Sequence, residues 1–321
     1  MEKIPFEKEG LLPVIQELGQ AKHGTTVKSL KSVGGGGFGL VYELVYDDGK
    51  AEILKAFKVG DMLQAEAAAL RLLRQASPLK VPEVYYTHGA DDKFPVNAMA
   101  MERIDGVSAQ DLPFFLSAKK RRLISETVIS ALAKIHETTA DKYGYVDGTE
   151  SFDTWQEFYK AVLFDVYERA KPFCKENVSP LNDKIIAVLE IGIKNIDYIL
   201  ADKVKKPSLL HGDLWIANIM VDAKTFEPTG ILDPLHSMWG DKEFDLFPLN
   251  APWGRRFKLY ETYKKRYETS ARVDLKTAFY YFVNEVLCRL QSGSWSGGGG
   301  NSFYKLLIKC LENEYQKHGI K

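Results

Sequence analysis

Between Gly34 and Gly39 every residue but Phe38 is glycine, and the flanking segments decide what such a run can be. Before it stands Thr-Val-Lys-Ser-Leu-Lys-Ser-Val (residues 26–33); after it, apolar and polar residues alternate around the turn Asp47-Asp48-Gly49. This pattern predicts a strand, a glycine loop and a hairpin. A slack linker sets its glycines among serine, proline and charge, whereas these are clamped between two strands of one sheet. The loop is therefore a tight, shaped turn, and backbone without side chains lets N–H groups come close to a phosphate. A second run, Gly297 to Gly300, lies between helical stretches at 274–291 and 302–316 and reads as a helix-to-helix loop.

Three phosphate-loop patterns compete for the first run. A Walker A loop must end in Gly-Lys-Ser/Thr, but Gly39 is followed by Leu40 and Val41. The spacing Gly34-x-Gly36-x-x-Gly39 also fits the dinucleotide fingerprint, which has to open a helix, and Leu40–Tyr46 is strand-like. The remaining pattern, G-x-G-x-x-G-x-V between antiparallel strands, is matched by Gly34, Gly36, Gly39 and Val41 and is that of protein-kinase-like folds. With four consecutive glycines several registers fit, and a plain hairpin turn is the competing reading.

Such a fold calls for a lysine on the strand after the hairpin and a glutamate on the following helix. Ile53, Lys55 and Phe57 share one strand face, which sets a charge among apolar neighbours, while Lys58 lies at the strand's end. The helix is expected to open at Asp61 as N-cap, with Gln64 three residues on, and to stop before Ser77-Pro78. Leu63, Glu66, Leu70 and Leu73 fall at 3-4-3 spacing, so Glu66 sits in the apolar stripe, where a carboxylate wants a cation. Pairing of Glu66 with Arg71 or Arg74 is the alternative. Residues 98–101 read as a strand running to a turn at Asp105-Gly106, a hinge where backbone groups of Glu102 to Ile104 could hydrogen-bond a purine.

The densest chemistry lies between Pro207 and Phe247. Two short apolar strands, 219–221 and 230–232, flank an eight-residue loop, and Asp213, Asn218 and Asp233 stand at their mouths. Phosphoryl transfer needs such hard oxygen ligands for magnesium, with a carboxylate to orient the attacking hydroxyl and take its proton.

His211-Gly212-Asp213-Leu214-Trp215 with Asn218, then Ile231-Leu232-Asp233-Pro234 and Gly240-Asp241-Lys242-Glu243-Phe244-Asp245-Leu246, resembles the catalytic core of the aminoglycoside phosphotransferase and fructosamine-3-kinase superfamily of small-molecule kinases. The match is nearest to the fructosamine kinase-like members. The glycine loop, Lys55, Glu66, and residues 143–148 ahead of 155–159 follow in the family's order, so the resemblance covers nearly the whole chain. It implies an α+β, bilobal protein-kinase-like fold with a small antiparallel-sheet N-lobe (residues 1–102) and a larger, mainly helical C-lobe (103–321). It also implies Asp213 as catalytic base, Asn218 and Asp233 as Mg2+ ligands, and Lys55 holding the ATP phosphates under the glycine loop. Glu66 would orient Lys55, His211 would brace the catalytic loop, and Asp245 would hydrogen-bond its backbone. Two departures leave the substrate open: Ile216-Ala217 replaces the small residues and glycine that usually precede the motif's asparagine, and the stretch from Asp233 to Asp241 is one residue longer.

The chain carries 43 basic and 43 acidic residues, so no global field draws it to nucleic acid or anionic membrane. Residues 103–321 are nearly neutral as well, which disfavours a polycationic aminoglycoside and suits a neutral or singly charged hydroxyl compound such as a sugar-modified amine or a macrolide. Trp215, Trp239, Trp253 and Trp295 could stack on a sugar, with a core role as the competing reading. Cys174, Cys288 and Cys310 are odd in number and widely spaced, which fits a reducing cytoplasm. The N-terminus lacks the pattern of a signal peptide, and no apolar run is long enough to span a bilayer. The expected activity is ATP-dependent transfer to a hydroxyl of a ketosamine-like small molecule. An antibiotic O-phosphotransferase and a catalytically inactive nucleotide-binding regulator are the alternatives.

Overall fold

A computed structural model describes residues 6–59, 62–177, 179–293 and 300–321. The N-cap expected at Asp61, the Trp295 and Gly297–Gly299 loop and the stacking role of the Trp253 side chain lie outside what it describes. The chain opens with α1 (Leu12–His23), started by Pro13 and ended by Gly24 in the left-handed region at φ 66°. There follow β1 (Val27–Gly35), β2 (Gly39–Tyr46), β3 (Ala51–Phe57), α2 (Met62–Ala76), β4 (Val84–His88) and β5 (Asn97–Met101). The strands form one antiparallel sheet in the order β1-β2-β3-β5-β4. One face packs on α1 through Ile15, Leu18, Tyr42, Leu44 and Leu54. The other face receives α2, whose buried stripe is Leu63, Glu66, Ala67, Leu70 and Leu73.

Beyond the sheet come β6 (Val107–Ser108) and α3 (Ala118–Ile135), the latter capped by the Ser117 hydroxyl. Next are β7 (Gly144–Tyr145), α4 (Trp155–Glu176) with a Thr154/Glu157 capping box, and α5 (Asn182–Ile199). The segment after α5 contributes β8 (Ser208–Leu209), β9 (Ile219–Val221), β10 (Pro228–Ile231) and β11 (Met238–Gly240). The chain closes with α6 (Leu246–Leu249), α7 (Leu259–Arg266), α8 (Val273–Ser292) and α9 (Gly300–Lys317). β10 begins two residues earlier than the expected 230–232 and ends at Ile231, because Asp233 turns into the left-handed region at φ 58° and takes the chain off the ladder. The lobes meet in a shared core in which Leu63, Leu70 and Met99 join Leu132, Leu214, Ile219 and Ile231. A separate core holds α4, α5, α8 and α9 together. Trp239 lies half-buried in β11 against the shared core, so its bulk is spent on packing. Among the described residues no helix is long and apolar enough to cross a membrane.

Candidate active site

The glycine loop is built by the ladder on either side of it. Gly34 pairs with Val41 and Gly35 with Leu40, and the Gly36 N–H donates to the Gly39 carbonyl at 2.9 Å. Two glycines are demanded by the fold itself. Gly35 sits at φ 142°, and a Cβ on Gly39 would lie 2.4 Å from the Ala56 carbonyl oxygen across β3. A Cβ on Gly36 would meet nothing within 4 Å, so the backbone there faces open space. Gly37 stands against the C-terminal end of α8, where an added Cβ would come 3.1 Å from that of Ser292.

Lys55 lies beneath this loop, on β3 opposite Val41. Its Nζ is 2.6 Å from Glu66 Oε2 and 2.5 Å from Asp233 Oδ1, tying sheet, α2 and catalytic segment together. Burial alone would lower the Lys55 pKa, but Asp233 and Glu66 outweigh it and hold the ammonium charged. Of its two carboxylate partners Glu66 is the dry one, its side chain 4% exposed against 47% for Asp233. Burial pushes Glu66 up to about 7 against the pull of Lys55, while Asp233 is held below its ordinary value by Lys55, which overcomes the opposing effect of burial. Arg74, the alternative partner of Glu66, instead binds Glu102 at 2.7 Å, Glu83 at 3.3 Å and the Val81 carbonyl at 2.6 Å.

The loop carrying Asp213 is strung from Asp245. That carboxylate, with no exposed surface, accepts the backbone N–H groups of His211 at 2.8 Å and Gly212 at 2.7 Å, and lies 3.0 Å from His136 Nε2. Gly212, at φ 84°, runs so close to the Leu235 carbonyl that a Cβ would fall 2.2 Å from its oxygen. Burial drives His211 down to about 4, keeping the ring neutral, and its Nδ1 accepts the Asp213 N–H at 3.3 Å. His136 has no motif around it and escapes sequence reasoning, being a lone histidine at the end of α3.

Asn218 links the two acids. Its Nδ2 donates to the Asp213 carbonyl at 2.8 Å, to Asp213 Oδ2 at 3.3 Å and to the Asp233 carbonyl at 3.4 Å, while its own carbonyl accepts from Leu232. Asp213 opens onto a cleft of about 500 Å³, also lined by Gly37, Phe38, Trp215 and Glu285. Burial, reinforced by the charges of Asp233 and Glu285, holds the Asp213 carboxyl well above the usual range. At the hinge, the Glu102 N–H is already engaged with the Glu83 carbonyl at 2.8 Å and cannot serve a ligand. Among the described residues the Glu102 carbonyl and the Ile104 N–H have no backbone hydrogen bond. Among the described residues no three His, Cys, Asp or Glu side chains are grouped to hold a metal ion, so any ion here would rest on Asn218, Asp233 and the ligand's own oxygens.

A glycine loop, a lysine held by a glutamate, and a suspended aspartate with its asparagine and second aspartate define a protein-kinase-like phosphotransferase. The chain belongs to the fructosamine kinase family, whose model matches residues 13–291. It is 26% identical over 265 residues to a probable ketoamine kinase of Pasteurella multocida, covering 75% of this chain and 80% of the relative. A probable ketoamine kinase of Staphylococcus aureus is 28% identical over 158 residues, or 46% of this chain and about half (53%) of that relative. In fold, a Thermobifida fusca protein assigned as a fructosamine-3-kinase superposes with a TM-score of 0.65 at 20% identity, covering 94% of this chain and 98% of that one. A thermostable mutant of aminoglycoside phosphotransferase APH(4)-Ia gives 0.69 at 16% identity, covering 95% and 100%. The protein is thus a small-molecule kinase by class.

Proposed function

We propose that the protein transfers the γ-phosphate of ATP to a hydroxyl of a ketosamine, a sugar bearing an amine. The observation that carries this reading is the convergence of Lys55, Asp213, Asn218 and Asp233 at the edge of an open cleft. Asp213 faces the cleft and acts as the base that orients the acceptor hydroxyl and takes its proton. Lys55, fixed by Glu66, holds the phosphates, and the backbone of Gly34, Gly36 and Gly39 cradles them, Gly36 with room to spare. Val41 covers the base, and the Glu102 carbonyl and Ile104 N–H read its edge.

The donors fit magnesium: Asn218 and Asp233, joined by the 3.4 Å contact from Asn218 Nδ2 to the Asp233 backbone carbonyl, offer an amide and a carboxylate oxygen, both hard. When bound, the ion neutralises charge on the transferring phosphate. Residues 1–102 form the nucleotide lobe and 103–321 the acceptor lobe. The protein works in the cytoplasm, in keeping with three unpaired cysteines, Cys174, Cys288 and Cys310. Binding of AMP-PNP and hygromycin B by APH(4)-Ia supports nucleotide use on this fold. The curated ketoamine kinases support the acceptor class.

The test is phosphate transfer from labelled ATP with magnesium to fructose- and ribose-modified lysines, aminoglycosides, macrolides and choline. Transfer to the modified lysines that vanishes in Asp213→Asn bears out the reading. Transfer to an antibiotic alone, or nucleotide binding with no transfer to any acceptor, overturns it.

A further inference from the structure

One wall of the cleft beside Asp213 belongs to α8, and no motif accounts for it. At helical spacing α8 presents Tyr281, Glu285, Arg289 and Ser292 to the same space that receives Asp213 and Trp215. Glu285 is the unexpected member, a partly buried carboxylate on a helix that otherwise packs through Phe279, Phe282, Val283 and Val286. Its backbone carbonyl accepts the Tyr304 hydroxyl at 2.9 Å. Among the described residues its carboxylate has no hydrogen-bond or ion-pair partner. Arg289, one turn on, forms no ion pair with it and lies over the Tyr304 ring, 5.8 Å from the centroid. Burial pushes Glu285 up to about 7, with Arg289 opposing only in part.

A partly buried carboxylate left without a partner on a cleft wall is costly to ionise, and a cation placed against it relieves that cost. A metal ion does not fit that role, since Glu285 is not grouped with Asp213 and Asp233 closely enough to share one. A polycation does not fit either, because Lys58 and Arg289 line the same cleft and balance its acids. What remains is a single ammonium on a compact hydroxyl compound. In a ketosamine the amine lies a few bonds from the sugar hydroxyls, so a base on one wall and a counter-ion on the other match its two ends.

Resting on the acceptor reading above, we infer that Glu285 is a specificity-determining residue that holds the protonated amine of the ketosamine while Asp213 faces its hydroxyl. A charge-assisted hydrogen bond of this kind contributes about 1.5–3 kcal/mol, or roughly 10- to 150-fold in affinity. The experiment compares an N-alkyl 1-amino-1-deoxyfructose with its neutral 1-O-alkyl ether, using wild type, Glu285→Gln and Glu285→Asp, with each variant's melting temperature checked against wild type. Wild type should favour the amine by about 10- to 150-fold in kcat/KM. Glu285→Gln should erase that preference through KM for the amine, with the KM for ATP within about twofold, and Glu285→Asp should restore part of it. Equal losses on amine and ether, or an unchanged preference in Glu285→Gln, overturn the inference while leaving ketosamine transfer intact. If wild type phosphorylates neither compound, the acceptor reading fails and the inference with it.

Discussion

Lys276 should be among the most costly residues in the chain to replace, although it touches no part of the cleft. Its side chain is 2% exposed, and its Nζ lies 2.5 Å from Asp241 Oδ2 and 2.6 Å from Glu243 Oε2, themselves 5% and 4% exposed. The remaining acceptor sites are filled: the Tyr280 hydroxyl donates to Asp241 at 3.1 Å, and the Ser270 hydroxyl to Glu243 at 2.7 Å. Lys276→Met keeps the volume and removes the charge, leaving two carboxylates in a dry interior without a cation. Stranding buried charge in this way costs about 3–5 kcal/mol, a large share of a typical total of about 5–15. With a urea slope of about 3 kcal/mol/M, the unfolding midpoint should fall by about 1–1.7 M. Burial lowers the lysine's pKa, but Asp241 and Glu243 more than compensate and raise it above the ordinary value. The stabilisation is therefore fully present below the unfolded value of about 10.4 and is lost as pH rises through the higher folded one. Because neutralising all three members leaves no buried charge, Lys276→Met with Asp241→Asn and Glu243→Gln should recover part of the loss. A midpoint within about 0.3 M of wild type for Lys276→Met, or a triple variant no better than the single, would refute this account.

Asp213→Asn should lower kcat by about 10²- to 10⁴-fold while nucleotide affinity, read by fluorescence titration, stays within about twofold. Gly39→Ala and Gly36→Ala should separate the two uses of glycine. The first forces a Cβ against the Ala56 carbonyl and should cost about 1–3 kcal/mol in urea unfolding; the second meets no atom, should leave stability within about 0.5 kcal/mol, and should raise KM for ATP. Asp245→Ala removes the acceptor of two buried N–H groups, at about 1–3 kcal/mol each, so it should lower both the unfolding midpoint and kcat with little change in KM.

The parts of the site that were legible in the sequence are those whose chemistry is local. The glycine loop declared itself because alternating strands stood on both sides, and Glu66 because a carboxylate fell inside a 3-4-3 apolar stripe. Asp213, Asn218 and Asp233 sit within one short span where two strands end. The hidden parts depend on distance along the chain. His136 reaches Asp245 across 109 residues and carries no pattern of its own. The Glu102 N–H is taken by the Glu83 carbonyl, a pairing set by where β4 begins and β5 ends rather than by any side chain. Lys276, however, was visible in principle. Val273, Lys276, Tyr280, Val283 and Leu287 recur at helical spacing and all but the lysine are apolar or aromatic, the same signature that singled out Glu66. A charge in an apolar stripe announces a buried partner but not its purpose. Glu66 and Lys276 both have partners, Lys55 for the first and Asp241 with Glu243 for the second. Glu285 differs from both in having none among the described residues, and that difference is why it points outward, to a ligand.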